Sequence, residues 1–303
     1  MKKVLVTSAC IILALMISLP VFAGGSSKIN VKYPIILIHG WAGSDAFLGA
    51  IPYFWGIESN LESKVKVGSL NDGIFVANTV NAFNTDDQRG PQLRQFVLQV
   101  LAVTGAQKVN IIGHSMGGTT SRYMVSCFAD MKLKVASITS VATPHRGTSA
   151  AQLILKINAG TMGALQWVMD NFWGKLVSGD AKSRFIAATK QLTPENMVVF
   201  NQYITNVAGI RYFSYADKYY GVSPAPFNNI LYPFYAWMKD REGDNDGVVP
   251  VSSMIWGEYR GCETGLFGCD HGMIINHLMG LTPGFDAKAF YVKIAKLLSS
   301  SSL

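Results

Sequence analysis

KVNIIGHSMGGTTSRY, residues 108–123, decides how this chain is read. Its first half, KVNIIGHS, is an apolar run of strand length. From Met116 onward, MGGTTSRYMVSCFADM reads as a helix. Ser115 stands between them, in Gly-His-Ser-Met-Gly. A G-x-S-x-G pattern arises by chance in roughly one chain of this size in five, so its context carries the weight. Here a buried strand, a sharp turn and a helix start meet at the serine, as a nucleophile elbow requires. A turn that tight admits only small flanking residues, which Gly113, Gly117 and Gly118 supply. It points the Ser115 hydroxyl out of the sheet, where the helix N-terminus favours developing negative charge. Ser115 is therefore the candidate nucleophile.

The same rhythm runs through the neighbouring sequence. YPIILIHG (33–40), GIFVANT (73–79) and KVASITSVATPH (134–145) read as strands. RGPQLRQFVLQVLAVTG (89–105) reads as an amphipathic helix with Pro91 in its first turn and Gly105 as its stop. Alternation of this kind predicts an α/β fold with a mostly parallel central sheet flanked by helices. From Gly147 to about Leu192 the pattern changes to helices without strands: AAQLILKI, MGALQWVMDNFWGKLV and KSRFIAATKQL. The middle one is rich in Trp, Phe, Met and Leu. It reads as a core helix or as a mobile cap with an apolar inner face. PENMVVFNQYI then reads as a helix, GIRYFSYA (209–216) as a strand and AKAFYVKIAKLL (287–298) as the last helix.

A serine hydroxyl needs a base to take its proton and donors to hold the oxyanion. His39-Gly40 closes the first strand, so the backbone N–H of Trp41 can face the site. The N–H of Met116, next after the nucleophile, supplies the second donor. The acid is expected between serine and histidine, at a strand end. DREGDNDGVVP (240–250) offers Asp240, Asp244 and Asp246. Asp246 precedes a turn into extended chain and is the candidate; the other two read as a solvated loop. Two histidines follow it, His271 and His277, in CDHGMIINHLMGLT. His271 follows a Gly/Cys loop, where an imidazole can move between acid and nucleophile. His277 falls in MIINHLMGL, which reads as a short helix. Local pattern points to His271 and leaves His277 open.

The chain's 303 residues suffice for one large α/β domain. The only long apolar run is the first, MKKVLVTSACIILALMISLPVFAGG. Lys2 and Lys3 precede an apolar stretch, and Val21-Phe22-Ala23 offers small residues for cleavage. Residues 1–23 thus read as a secretory signal peptide, with a retained membrane anchor as the alternative, and 24–303 as the catalytic domain. Export implies a secreted or periplasmic protein in an oxidising compartment. Cleavage would lower the formal charge of +7 by two lysines. No basic run remains, so nucleic-acid binding has no support. No Cys/His metal pattern exists. Cys262 and Cys269, close in the Gly-rich stretch CETGLFGC, are candidates for a disulfide, and Cys127 reads as a buried free thiol.

At this point the sequence resembles the secreted bacterial triacylglycerol lipases of the Pseudomonas/Burkholderia type, in the α/β-hydrolase superfamily. The stretches that carry the resemblance are YPIILIHGWAGSDAFLG, YFWGIESNL, DDQRGPQLRQFV, KVNIIGHSMGGTTSRY, SITSVATPHRGTSAA, LTPENMVVFN, YFSYA and NDGVVPVSS, in matching order and spacing. It implies triacylglycerol hydrolysis, a Ser–Asp–His triad and a mobile lid. It also implies that Arg89 braces the oxyanion loop. The family's N-H-L-D-E-x-N-Q signature, laid without gaps on this chain, puts the base on His271 and its Asn on Asn276.

The same overlay shows a departure. The family's calcium ligands, the Asp and Gln of that signature, fall here on Met273 and His277. Calcium wants hard oxygen ligands, so the site is expected to be lost and no cofactor is expected. The family's disulfide cysteine falls on Ser252. A Cys262–Cys269 bridge would then replace the metal in holding the His271 loop. The expected partners are an acylglycerol or other lipid ester and a lipid–water interface, with a dedicated secretion or folding helper as a further candidate. The alternatives are a carboxylesterase acting on short soluble esters and a non-catalytic lipid-binding member of the fold.

Overall fold

The computed structural model describes residues 27–41, 52–70, 72–161, 184–222, 231–277 and 279–303. Six strands form the main sheet: β2 (Ile35–Ile38), β4 (Ile74–Val76), β5 (Val109–His114), β6 (Val135–Val141), β7 (Arg211–Asp217) and β8 (Glu258–Glu263). Their order is β4-β2-β5-β6-β7-β8, and every neighbouring pair is parallel. A small parallel pair, β1 (Ile29–Val31) with β3 (Val65–Val67), stands apart from it.

The middle of the sheet is covered on both faces, which is why β2, IILI, is apolar throughout, whereas the edge strand β8, EYRGCE, is polar and partly exposed. In β2, Ile35 and Leu37 enter one core cluster and Ile36 and Ile38 the other. This is the two-residue period of a strand. One face packs on α1 (Ile57–Lys64) and α9 (Ala287–Ser300), through Leu61, Phe290, Tyr291 and Leu298. The other packs on α2 (Asp86–Thr104) and α3 (Met116–Cys127), through Leu93, Val97, Met124 and Val125. Between β6 and β7 come α4 (Ser149–Gly160), α5 (Phe185–Gln191) and α6 (Pro194–Tyr203). Between β7 and β8 come α7 (Tyr232–Glu242) and the short α8 (Val251–Met254).

Several expectations change. Helix α2 begins at Asp86, not Arg89, with Asp86 and Asp87 at the positive end of its dipole. Pro91 therefore lies in its second turn. Among its described residues the stretch MIINHLMGL holds a 3₁₀ turn, Met273–Ile275, closed by Asn276 in the left-handed region at φ 57°. Asparagine tolerates that conformation better than most residues. Cys262 belongs to β8 rather than to a loop, and strand pairing holds it opposite Ala216.

The expected Cys262–Cys269 disulfide is not formed; both are free thiols. Cys269 is fully buried, its N–H bonded to the Lys218 carbonyl at 2.7 Å. Each sulfur instead meets the carbonyl of the residue after it, so strand and core fix the two cysteines separately. Cys127 ends α3 on its outer side and is exposed, not buried. Of the expected cap at 147–192, α4 and α5 form its two ends; its middle helix lies outside the described residues, as does the expected signal peptide. No helix among the described residues is long and apolar enough to cross a membrane.

Candidate active site

Ser115 sits at the junction of β5 and α3 with φ 54° and ψ −131°. A non-glycine residue at positive φ is held there only by its surroundings. Here the surroundings are backbone. A Cβ on Gly113 would lie 2.7 Å from the Gly117 carbonyl carbon, and one on Gly117 would lie 2.5 Å from the Ile38 carbonyl oxygen. The elbow can form only because both positions lack a side chain.

The chain after β2 runs directly over Ser115. A Cβ on Gly40 would stand 2.9 Å from Ser115 Oγ and 3.1 Å from the Tyr53 hydroxyl. Trp41 follows at once. Met116 is the first residue of α3, so its N–H has no intrahelical acceptor. Arg89, fully buried on α2, holds this loop from behind. It donates to the His39 carbonyl at 2.6 Å, the Asn81 carbonyl at 2.6 Å, Thr120 Oγ1 at 3.0 Å and the Gly40 carbonyl at 3.4 Å. Burial lowers its pKa to about 10, which leaves it charged at neutral pH. Thr120 in turn donates to Asp86, which also receives Gln191 from the end of α5.

Tyr53 joins the site without a signal of its own in the sequence. Its hydroxyl accepts the Gly40 N–H at 3.2 Å and lies 2.6 Å from His114 Nδ1. Burial and the neighbouring His271 and His277 hold His114 well below the ordinary imidazole range, so it is neutral and accepts from Tyr53.

The loop between α7 and α8 brings in Asp246, fully buried. Its Oδ1 accepts the N–H groups of Val248 at 2.7 Å and Val249 at 2.6 Å. Its Oδ2 meets His271 Nδ1 at 2.5 Å. The His271 backbone N–H also bonds the Asp246 carbonyl at 3.1 Å, so the two loops are clamped twice. The His271 ring stands 4.5 Å, centroid to centroid, from that of His114, the residue before Ser115. Asp244, by contrast, pairs with Lys218 and Lys239 at the surface, and Asp240 is exposed. His277 packs its ring edge-on against Tyr53 at 6.2 Å, and burial lowers its pKa.

No hydrogen bond from Ser115 Oγ to His271 is formed in this state. Such bonds commonly tighten only when substrate binds. Asp270, missed in the sequence, sets up His271 locally: its Oδ1 accepts the N–H groups of Gly272 and Met273, both at 2.8 Å.

The two positions of the family's calcium ligands do not fit that ion. Met273 is buried in the apolar core and His277 packs on Tyr53. A thioether and an imidazole are poor partners for a hard cation. Among the described residues no group of three His, Cys, Asp or Glu side chains could hold a metal ion.

Comparison with known proteins shows the family and the fold. The family described as "alpha/beta hydrolase fold" matches residues 33–174. A triacylglycerol lipase of Burkholderia plantarii is 38% identical over 192 residues, which cover 60% of this chain and 51% of the relative. The chain thus spans about half the length of relatives of that kind. A triacylglycerol lipase of Vibrio cholerae is 32% identical over 306 residues, covering 90% of both chains. Among solved structures, the lipase of Staphylococcus hyicus superposes with a TM-score of 0.68 over 91% of this chain and 97% of its own, at 18% identity.

Proposed function

This chain belongs to the triacylglycerol lipases of the α/β-hydrolase family, and from that premise we propose that it hydrolyses acylglycerol esters through Ser115, His271 and Asp246. The observation that carries the proposal is the bond of His271 Nδ1 to the buried Asp246 Oδ2 at 2.5 Å, made beside the strained Ser115 elbow.

The ionised carboxylate can only accept, so Nδ1 carries the proton and Nε2 is left as the base. Ser115 Oγ attacks the ester carbonyl carbon and its proton passes to His271 Nε2. Asp246 stabilises the imidazolium that forms. The N–H groups of Trp41 and Met116 receive the oxyanion, in a loop that Arg89 keeps from relaxing. Collapse breaks the C–O bond, and His271 returns its proton to the leaving alkoxide. Water, deprotonated by His271, then attacks the acyl-enzyme and releases the fatty acid.

The finer reading includes export of the protein and work at a lipid–water interface. In it the segment 147–192 is a lid, supported by its apolar sequence and by the tie of Gln191 to the network behind the oxyanion loop. A secretion or folding helper remains part of this proposal.

Acid release from emulsified long-chain triacylglycerol, wild type against Ser115→Ala, tests it. The expected wild-type rate falls by about 10⁴-fold or more in the variant. Activity confined to dissolved short esters would replace the lipase by a carboxylesterase. Activity on neither would leave a lipid-binding protein.

A further inference from the structure

Asp217 ends β7, and the mechanism above does not use it. Its side chain is fully buried. Among the described residues no N–H or O–H group of another residue donates to either of its oxygens. Its backbone N–H points to Met254 Sδ at 3.4 Å. The titratable groups facing it come from four directions: Asp246 after α7, Cys269 and Asp270 before His271, Cys262 on β8 and Tyr291 on α9. All are acids. Lys218, its neighbour in sequence, turns instead to Asp244 at 2.6 Å.

A carboxylate buried among acids, with neither a cation nor a donor, is among the least favourable charges a fold can hold. Burial and the nearby Asp246 and Asp270 accordingly drive the Asp217 carboxyl well above the usual carboxylate range. The chain just after β7 is bonded to the Asp246 loop, Tyr219 N–H to the Asn245 carbonyl at 2.9 Å, and the side chain that adjoins Asp217 there is another carboxyl, that of Asp246. Two carboxyl groups can hydrogen-bond only by holding a proton between them. Asp246 already accepts three N–H groups, and it must stay ionised to hold His271. The proton belongs on Asp217.

We propose that Asp217 is a neutral carboxylic acid that donates its O–H to Asp246, and so positions and moderates the carboxylate that holds His271. It acts only through Asp246 and is a positioning residue. By drawing charge from Asp246 it weakens the grip on the imidazolium that forms during turnover. The proposal rests on the triad reading above.

Two measurements test it. Infrared difference spectra of wild type and Asp217→Asn at pH 7 should show the carbonyl band of a protonated carboxyl group in the wild type alone. Its absence overturns the proposal, whatever the activity. The acidic limb of the kcat/KM profile should then move up by about one pH unit in Asp217→Leu, the size of one lost hydrogen bond to a charged group. In Asp217→Asn, whose amide still donates, the limb should keep its wild-type position. A limb that moves equally in both variants, or in neither, overturns the positioning role. If Asp217→Leu does not fold, the infrared band and the Asn variant still decide. If the wild type cleaves no ester, the triad reading fails while the band still reports the proton.

Discussion

On the Ser115 side of the site, the constraints are backbone meeting backbone. Gly113 and Gly117 let β5, α3 and the end of β2 touch, and Arg89 ties the carbonyls of His39 and Gly40. On the Asp246–His271 side, buried carboxyl groups do the holding: Asp246 binds His271, Asp270 binds its own turn, and Asp217 is buried at the end of β7. The first wall is stiff because a clash has no way to relax. The second is held by charges and protons, so its stability depends on pH. The two halves should therefore fail differently.

The largest effect is expected where chemistry and the second wall meet. His271→Ala should lower turnover of a soluble ester by about 10⁴-fold or more, while His277→Ala should cost less than about tenfold. Similar losses in both would place the base outside this reading. Next comes Gly117→Ala. The added methyl meets the Ile38 carbonyl oxygen, which sheet bonding fixes, and should cost about 3 kcal/mol of stability in denaturant titrations. A neutral outcome would mean that the first wall is softer than its contacts show.

The pH dependence distinguishes the walls more finely. Burial raises the Asp270 pKa to about 6, against the opposing pull of the Met273 and Gly272 N–H groups. Between about pH 4 and pH 6 the folded protein then keeps a proton that the unfolded chain releases. The associated stability is fully present below that window and is lost as pH rises through it. Asp270→Asn should remove this slope, worth up to about 3 kcal/mol across the window, as read by urea melts at several pH values. An unchanged slope would assign the pH dependence elsewhere. The smallest effect concerns the thiols: since Cys262 and Cys269 are unbridged, a reductant should leave the melting temperature unchanged. A clear drop would restore the disulfide.

The reading of the sequence worked best where function is local. The strand, turn and helix around Ser115 are contiguous, so their glycines and apolar periods are visible in one stretch. Asp246 was legible from the turn after it, since NDGVVP bends where a carboxylate can reach its own Val248 and Val249 N–H groups. Strand β8 was missed because EYRGCE is short, polar and only partly buried. That miss also made Cys262 look like a loop residue. Tyr53 and Asp217 gave no signal, because the groups they meet lie in other parts of the chain; Asp270 caps its own turn at Gly272 and Met273, and only its burial was hidden from the sequence.

What the sequence determined by itself is the α/β order, the elbow at Ser115 and the proposed acid and base, each read from the few positions around it. What only the tertiary structure decided is which polar groups lose water together. Burial left Asp217 among acids, opened Cys127 to solvent and kept Cys262 and Cys269 as separate thiols. Desolvation and pairing depend on what packs against a residue, and no period in a one-dimensional pattern records that.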